Sequence, residues 1–264
     1  MTQPLDVLAL AAHPDDVELC AGGTMCLLHD QGYTTGVVDF TRGELGSRGT
    51  PETRAQEAEV ASGVLGLSAR HNLALPDGDI PNTAEAREAL IQRIRLHRPS
   101  IVLINAPEDR HPDHPAASRL ATDALFYSGL VRIETEWEGE AQEPWRPPHV
   151  LHYMQSIPFE PTFVIDVSSV WERRMEALLS YRTQFYTGGD AAESDASEAS
   201  GETSGESEPE TFISNPAFLQ WVEARARTYG YRVGATYGEP FLYRHGPVGV
   251  TDLVAMLSRE PRFR

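Results

Sequence analysis

The sequence predicts a single α/β domain with a mostly parallel sheet flanked by helices. Three observations lead to this fold class. The chain has 264 residues, 41% of them hydrophobic, and no linker divides two apolar halves; that is enough for one sizeable core. Its first half alternates short apolar runs with helical patterns, which implies right-handed crossovers between parallel strands, a Rossmann-like arrangement. The first apolar run is continuous rather than alternating, as in a strand buried on both faces.

Taken in order, Leu5 to Ala12 (LDVLALAA) is the first strand, ending at His13-Pro14-Asp15-Asp16. A helix is expected from Val17 to Asp30, closed by Gly32. Thr34 to Thr41 reads as the second strand, followed by a polar, Gly-rich loop from Arg42 to Thr50. Pro51 opens a helix to about Leu65. Asn72 to Leu75 reads as a short third strand before the turn Pro76-Asp77-Gly78. Thr83 caps a helix to about His97, and Ser100 to Asn105 (SIVLIN) is the fourth strand. A polar loop from Ala106 to His114 leads into a helix from Pro115 to about Tyr127. In the less regular second half, His149 to Met154 and Thr162 to Val167 read as strands. Ser168 or Ser169 caps a helix to about Arg182, and Pro216 to Tyr229 is another helix. Residues 188–210 are rich in Ser, Glu, Ala and Gly. They hold too little apolar surface to offset their ordering entropy, so they read as a mobile acidic insertion.

The formal net charge is −17, and all 22 basic residues are Arg. Such a chain repels phosphate backbones and anionic lipids, so neither nucleic acid nor a membrane surface is an expected partner. Cys20 and Cys26 match no zinc or redox spacing and read as small buried hydrophobes. The N-terminus has no signal-peptide pattern, and no apolar run approaches the ~20 residues of a membrane span. A cytoplasmic protein is expected.

Two motifs carry chemistry. Ala12-His13-Pro14-Asp15-Asp16 and Arg110-His111-Pro112-Asp113-His114 each follow a predicted parallel strand, where open α/β sheets place their sites. If those strands are neighbours, the loops converge. His13 and Asp16 are three apart at a strand-to-helix junction, and His114 completes a set of two imidazoles and a carboxylate, a common catalytic zinc pattern. Such nitrogen and oxygen ligands also suit Fe(II) or Co(II). Taken alone, HPDD reads more readily as a helix cap with Pro at its start; it is the pair of motifs that favours a metal. A nucleotide-binding module is disfavoured, because HPDD stands where Gly-x-Gly-x-x-Gly would and its acids repel a pyrophosphate. A non-catalytic metal-binding protein stays open.

The segments AHPDDVELCAGGT and RHPDH resemble the LmbE-like N-acetylglucosaminyl deacetylases, the PIG-L family. TRGELGSRGTPETRAQEA, LALPDGDI, ARTYGYRVGATYGEPF and GPVGVTDL are most similar to the branch that serves bacillithiol biosynthesis. The resemblance covers nearly the whole chain, with 188–210 as a departure. It implies zinc on His13, Asp16 and His114, Asp15 as general base and His111 as stabiliser of the tetrahedral oxyanion. It further implies that Arg54 and Asp77 contact sugar hydroxyls; Asp113 is expected to orient His111. The implied substrate is an acetylated amino sugar, N-acetylglucosaminyl malate, with another N-acetylglucosaminide or an amide of a thiol conjugate as the alternative, and the implied assembly a homo-oligomer, a hexamer. For Arg54 a helix-surface salt bridge to Glu57 or Glu59 remains open, and for Asp77 a plain turn role before Gly78.

Because residues 193–208 lack core-forming side chains, their deletion should leave melting temperature and turnover nearly unchanged. A large fall in either, read by thermal denaturation and steady-state kinetics, would show that the segment packs or gates.

Overall fold

The computed structural model describes residues 3–185 and 211–244, together with 246, 249 and 251. The acidic segment 188–210 and most of GPVGVTDL lie outside the described residues. Seven strands form one sheet: β1 (Val7–Ala11), β2 (Thr35–Asp39), β3 (Ala69–Asn72), β4 (Ile101–Ile104), β7 (His149–Tyr153), β8 (Phe163–Asp166) and β9 (Gly238–Tyr243). A small hairpin, β5 (Glu136–Trp137) and β6 (Glu140–Ala141), stands apart. The helices are α1 (Asp16–Asp30), α2 (Pro51–Leu65), α3 (Ala84–His97), α4 (Asp113–Tyr127), α5 (Trp171–Leu179), α6 (Arg182–Phe185) and α7 (Pro216–Arg232).

The sheet order is β3-β2-β1-β4-β7-β9-β8. The first five strands pair in parallel, and β9 runs antiparallel to both neighbours. The expected mostly parallel sheet is therefore present. β1 lies inside it with every residue buried. Its alternate side chains feed two cores: Val7, Ala9 and Ala11 face α1, α2, α5 and α7, and Leu8 and Leu10 face α3 and α4. Burial on both faces explains why this strand reads as an unbroken apolar run. Cys20 and Cys26 are free and buried in the first of these cores.

Caps behave largely as the sequence predicts. Thr50 and Thr53 form a reciprocal capping box on α2, and Thr83 accepts from Ala86 N at the start of α3. The hairpin β5–β6 was not expected from the sequence, and the structure differs at four further places. The third strand lies three residues earlier, because Arg70 within it turns inward to Asp39 and Glu18 at 2.7 Å; paired charge there replaces the apolar side chains that usually mark a strand. α4 starts at Asp113, with Pro115 in its first turn, where a missing N–H costs nothing. The helix expected to run to Arg182 breaks after Leu179, where Tyr181 is drawn into the core and donates to Glu18. β9 was not anticipated, because Gly238 and Pro240 interrupt its apolar pattern. No helix among the described residues is long and apolar enough to cross a membrane.

Two glycines test this packing in opposite directions. A Cβ on Gly23 would lie 2.7 Å from Val167 Cβ, so Gly23→Ala should cost about 1–3 kcal/mol by overpacking. At Gly63 a Cβ meets nothing within 4 Å, so Gly63→Ala in α2 should stabilise by about 0.4–1 kcal/mol. Urea denaturation of both variants reads the two signs.

Candidate active site

β1 and β4 are paired neighbours, so the two HPD loops that follow them meet. Asn105 ties them together: its Oδ1 accepts from Ala12 N at 3.0 Å. Its Nδ2 donates to Asp16 Oδ2 at 3.0 Å. Asp16 opens α1 and is only 3% exposed. The same Oδ2 also accepts from His13 N at 3.1 Å. Oδ1 accepts from Gln155 Nε2 at 3.1 Å, just past the end of β7, and lies 3.2 Å from His114 Nε2. Burial alone would push this carboxyl up, but the charges of His114 and His13 and their hydrogen bonds hold it below the ordinary range.

Both imidazoles are oriented from behind. His114 Nδ1 makes a very short hydrogen bond to Asp109 Oδ2, and Asp109 Oδ1 accepts from Ser156 N and Ile157 N. With Nδ1–H on Asp109, Nε2 faces Asp16. His13 Nε2 lies 3.1 Å from both Asp77 Oδ1 and Asp113 Oδ2, which leaves Nδ1 3.8 Å from Asp16 Oδ2. Burial would lower both imidazoles. Around His13, the bonds to Asp113 and Asp77 and the charge of Asp16 outweigh it, up to about 10. Around His114, Asp16 and Asp109 do the same, up to about 9.

These contacts correct the expectation for Asp113 and give Asp77 a partner beyond any sugar. The carboxylate of Asp113 holds His13 and accepts from Gly78 N; only its backbone N–H reaches His111, at Nδ1 and 3.3 Å. Asp77 likewise faces inward, with Oδ1 toward His13 and Oδ2 accepting from Leu45 N at 2.8 Å. Both therefore serve His13, although Asp77 still lines the cleft. His111 is lowered from the usual imidazole range by burial and by the charge of His13. Its Nδ1 accepts from Asp113 N, so the neutral ring carries its proton on Nε2.

Asp15 is the strained residue of the site. Its φ is 116° and ψ −22°, and its side chain makes no capping hydrogen bond. A non-glycine residue there costs about 1–3 kcal/mol and persists only where the surroundings hold it. Arg54 does so, donating from Nη2 to Pro14 O at 2.6 Å and to Asp15 Oδ2 at 3.1 Å. The helix-surface pairing of Arg54 with Glu57 or Glu59 is thus not adopted; Arg54 is buried. Burial pushes the Asp15 carboxyl up against the pull of Arg54, and the charge of Asp16 adds to the rise, to about 7.

The donor set fits a divalent cation. Among the described residues, nitrogens of His13, His111 and His114 lie within 4.8 Å of one another, as do ligand atoms of His13, Asp77 and Asp113. Asp16 faces His13 and His114 from the side opposite their orienting acids. Neither group of ligand atoms includes Asp16, whose Oδ1 lies 3.2 Å from His114 Nε2 and whose Oδ2 lies 3.8 Å from His13 Nδ1. The site opens into a cleft of about 380 Å³. Sequence reading missed Asn105, Asp109 and Gln155 at its floor, and Arg110, Phe212 and Trp221 at its rim. Only the Arg110 position lay inside a recognised motif.

Metal uptake should displace protons, because the raised imidazoles hold them when no cation is present. His13, up to about 10, and His114, up to about 9, are charged below those values. Zinc binding at pH 7 should therefore release about two protons, and apparent affinity should climb with pH until it levels near those values. Calorimetry in buffers of different ionisation enthalpy reads both. An affinity flat from pH 6 to 9 would remove these histidines from the ligand set.

Known proteins resemble the chain in sequence and in fold. Residues 8–125 match the family model described as GlcNAc-PI de-N-acetylase (PIG-L). The diacetylchitobiose deacetylase of Thermococcus kodakarensis is 30% identical over 68% of this chain and 70% of its own length. A probable N-acetyl-alpha-D-glucosaminyl L-malate deacetylase 2 of Bacillus cereus is 28% identical over 67% of this chain and 83% of its own. Among solved structures, the conserved protein TT1542 of Thermus thermophilus superposes with a TM-score of 0.78 at 36% identity, covering 94% of this chain and 98% of that one. The chain belongs to the PIG-L/LmbE-like family.

Proposed function

We propose that the chain is a metal-dependent deacetylase that hydrolyses the N-acetyl group of a glucosamine-containing small molecule. Its proposed substrate is N-acetylglucosaminyl malate, the products being acetate and glucosaminyl malate, as in bacillithiol biosynthesis. The names of the two curated relatives support the acetylated amino sugar. Asp15 carries the proposal: a buried carboxyl, raised to about 7, stands beside the ligand-capable groups without capping its helix.

His13, Asp16 and His114 would hold the cation, zinc by preference. A cation bound there would act as a Lewis acid on the amide carbonyl and acidify the attacking water. Asp15 takes the proton of that water and delivers it to the leaving amine, a task matched to a carboxyl that titrates near neutrality. His111 donates from Nε2–H to the oxygen where negative charge develops. Arg54 keeps Asp15 in place and lines the cleft beside it, where a substrate hydroxyl would meet it. Arg110 stacks over Phe212 at 4.8 Å and lines the cleft. Its guanidinium makes no hydrogen bond among the described residues and is available to a malate carboxylate.

Acetate release from N-acetylglucosaminyl malate, with and without chelator, tests the function. The metal-loaded protein should release acetate, and the chelator should abolish it. Asp15→Asn should keep metal and fold but lose ~10²–10⁴ in kcat, whereas Asp16→Asn should weaken metal binding and regain activity in excess zinc. Metal-loaded protein inert toward the malate conjugate and toward diacetylchitobiose alike would leave a non-catalytic metal protein. Preference for the disaccharide would move the substrate, not the reaction.

A further inference from the structure

α1 is entered from the side at a single rung. Gly23 N and Leu19 O are the two ends of one rung of the α-helical ladder, and each end also meets side chains from outside the helix. Here Glu239 Oε1, from β9, accepts from Gly23 N at 2.8 Å, and Glu239 Oε2 accepts from Thr24 N at 2.7 Å and from Thr24 Oγ1. At the other end of the rung, Leu19 O accepts from Arg174 Nη2 at 2.5 Å and from Arg225 Nη2 at 2.9 Å. The two guanidinium groups on Leu19 O hold the end of the turn that precedes this rung. That turn, Asp16 to Leu19, begins with a proposed metal ligand.

Arg225 reaches the same ligand by a second route. Its Nη1 donates to Gln155 O at 2.8 Å and to Met154 O at 3.3 Å. Gln155 is the residue whose side chain donates to Asp16 Oδ1. One guanidinium from α7 therefore pins the first turn of α1 and the strand end that fixes the Asp16 carboxylate. Its plane lies over Trp221, 4.8 Å from the ring centroid, so the fork is held rigid. A lysine could not reproduce this bridge, because a single ammonium cannot address carbonyls on two segments in a fixed fork.

We propose that Arg225 is a positioning residue for the metal site, acting on Asp16 through Leu19 O and Gln155. The proposal rests on the metal-site reading above and concerns ligand geometry rather than chemistry. Its test is zinc affinity, measured by chelator competition without substrate. Arg225→Lys should remain folded by far-UV circular dichroism, with zinc affinity lowered by about 10–100-fold, the usual effect of losing a group that orients a ligand. Arg227→Lys, on the exposed face of α7 and paired with Glu223, should bind zinc as the wild type does. Gln155→Ala should also weaken zinc, and the double variant Arg225→Lys/Gln155→Ala should lose less than the sum of the two. Wild-type affinity in folded Arg225→Lys would overturn the proposal while leaving the deacetylase reading intact, and strict additivity would remove Gln155 as the route. If Arg225→Lys unfolds, Arg225→Met, which keeps the stem against Trp221, takes its place with the same two outcomes. Wild-type protein that takes up no zinc would overturn the metal site and this role together.

Discussion

A carboxylate buried among close partners organises this molecule. Asp16 can stay charged inside the protein only because donors surround it. They come from places far apart in sequence: His13 N, Asn105, Gln155 and His114. The sheet order brings them together, since β1, β4 and β7 lie side by side and each contributes the residues just past its C-terminal end. The cores above and below the sheet then have a definite task, which is to hold three strand ends in register. A shift of one strand would turn a donor away and leave a buried charge unpaired.

Strain and burial cooperate one residue earlier. The left-handed backbone of Asp15 points its side chain away from the capping role that its position suggests. Arg54 then fixes both the carbonyl before it and the carboxyl itself. Two adjacent aspartates are thereby given opposite tasks: Asp16 is held as an anion below the ordinary range, and Asp15 is brought near neutrality. Environments that push paired carboxyls apart in this way support the proposed division between a ligand and a base.

The sequence revealed most of the framework, because periodicity, caps and strand-end motifs are local signals. It placed α1, α2 and α3 nearly to the residue and β1 within two residues at each end, and it picked out His13, Asp15, Asp16, His111 and His114, which the structure gathers in one cleft. What it lost has a common cause. Asn105, Asp109 and Gln155 act through one or two hydrogen bonds each, with no spacing that marks them. Arg225 works through carbonyls, which every residue has. The partner of Asp113 is not legible because spacing cannot say which of several imidazoles a carboxylate will meet. β3 and β9 were misplaced or missed because paired charge in one, and Gly and Pro in the other, stand where apolar alternation would have signalled a strand.

The antiparallel placement of β9 has a consequence for synthesis. β7 and β8 are separated in the sheet by a strand made after both of them. While the chain emerges, each presents an open edge, and neither can be covered until residues 238–243 have left the ribosome. Glu239, which braces α1, arrives with the same strand. The nascent protein therefore passes through a stage in which its helices can form but two strand edges stay exposed. The interval between making β8 and making β9 is when mispairing with other chains is most dangerous, and α7 is built within it.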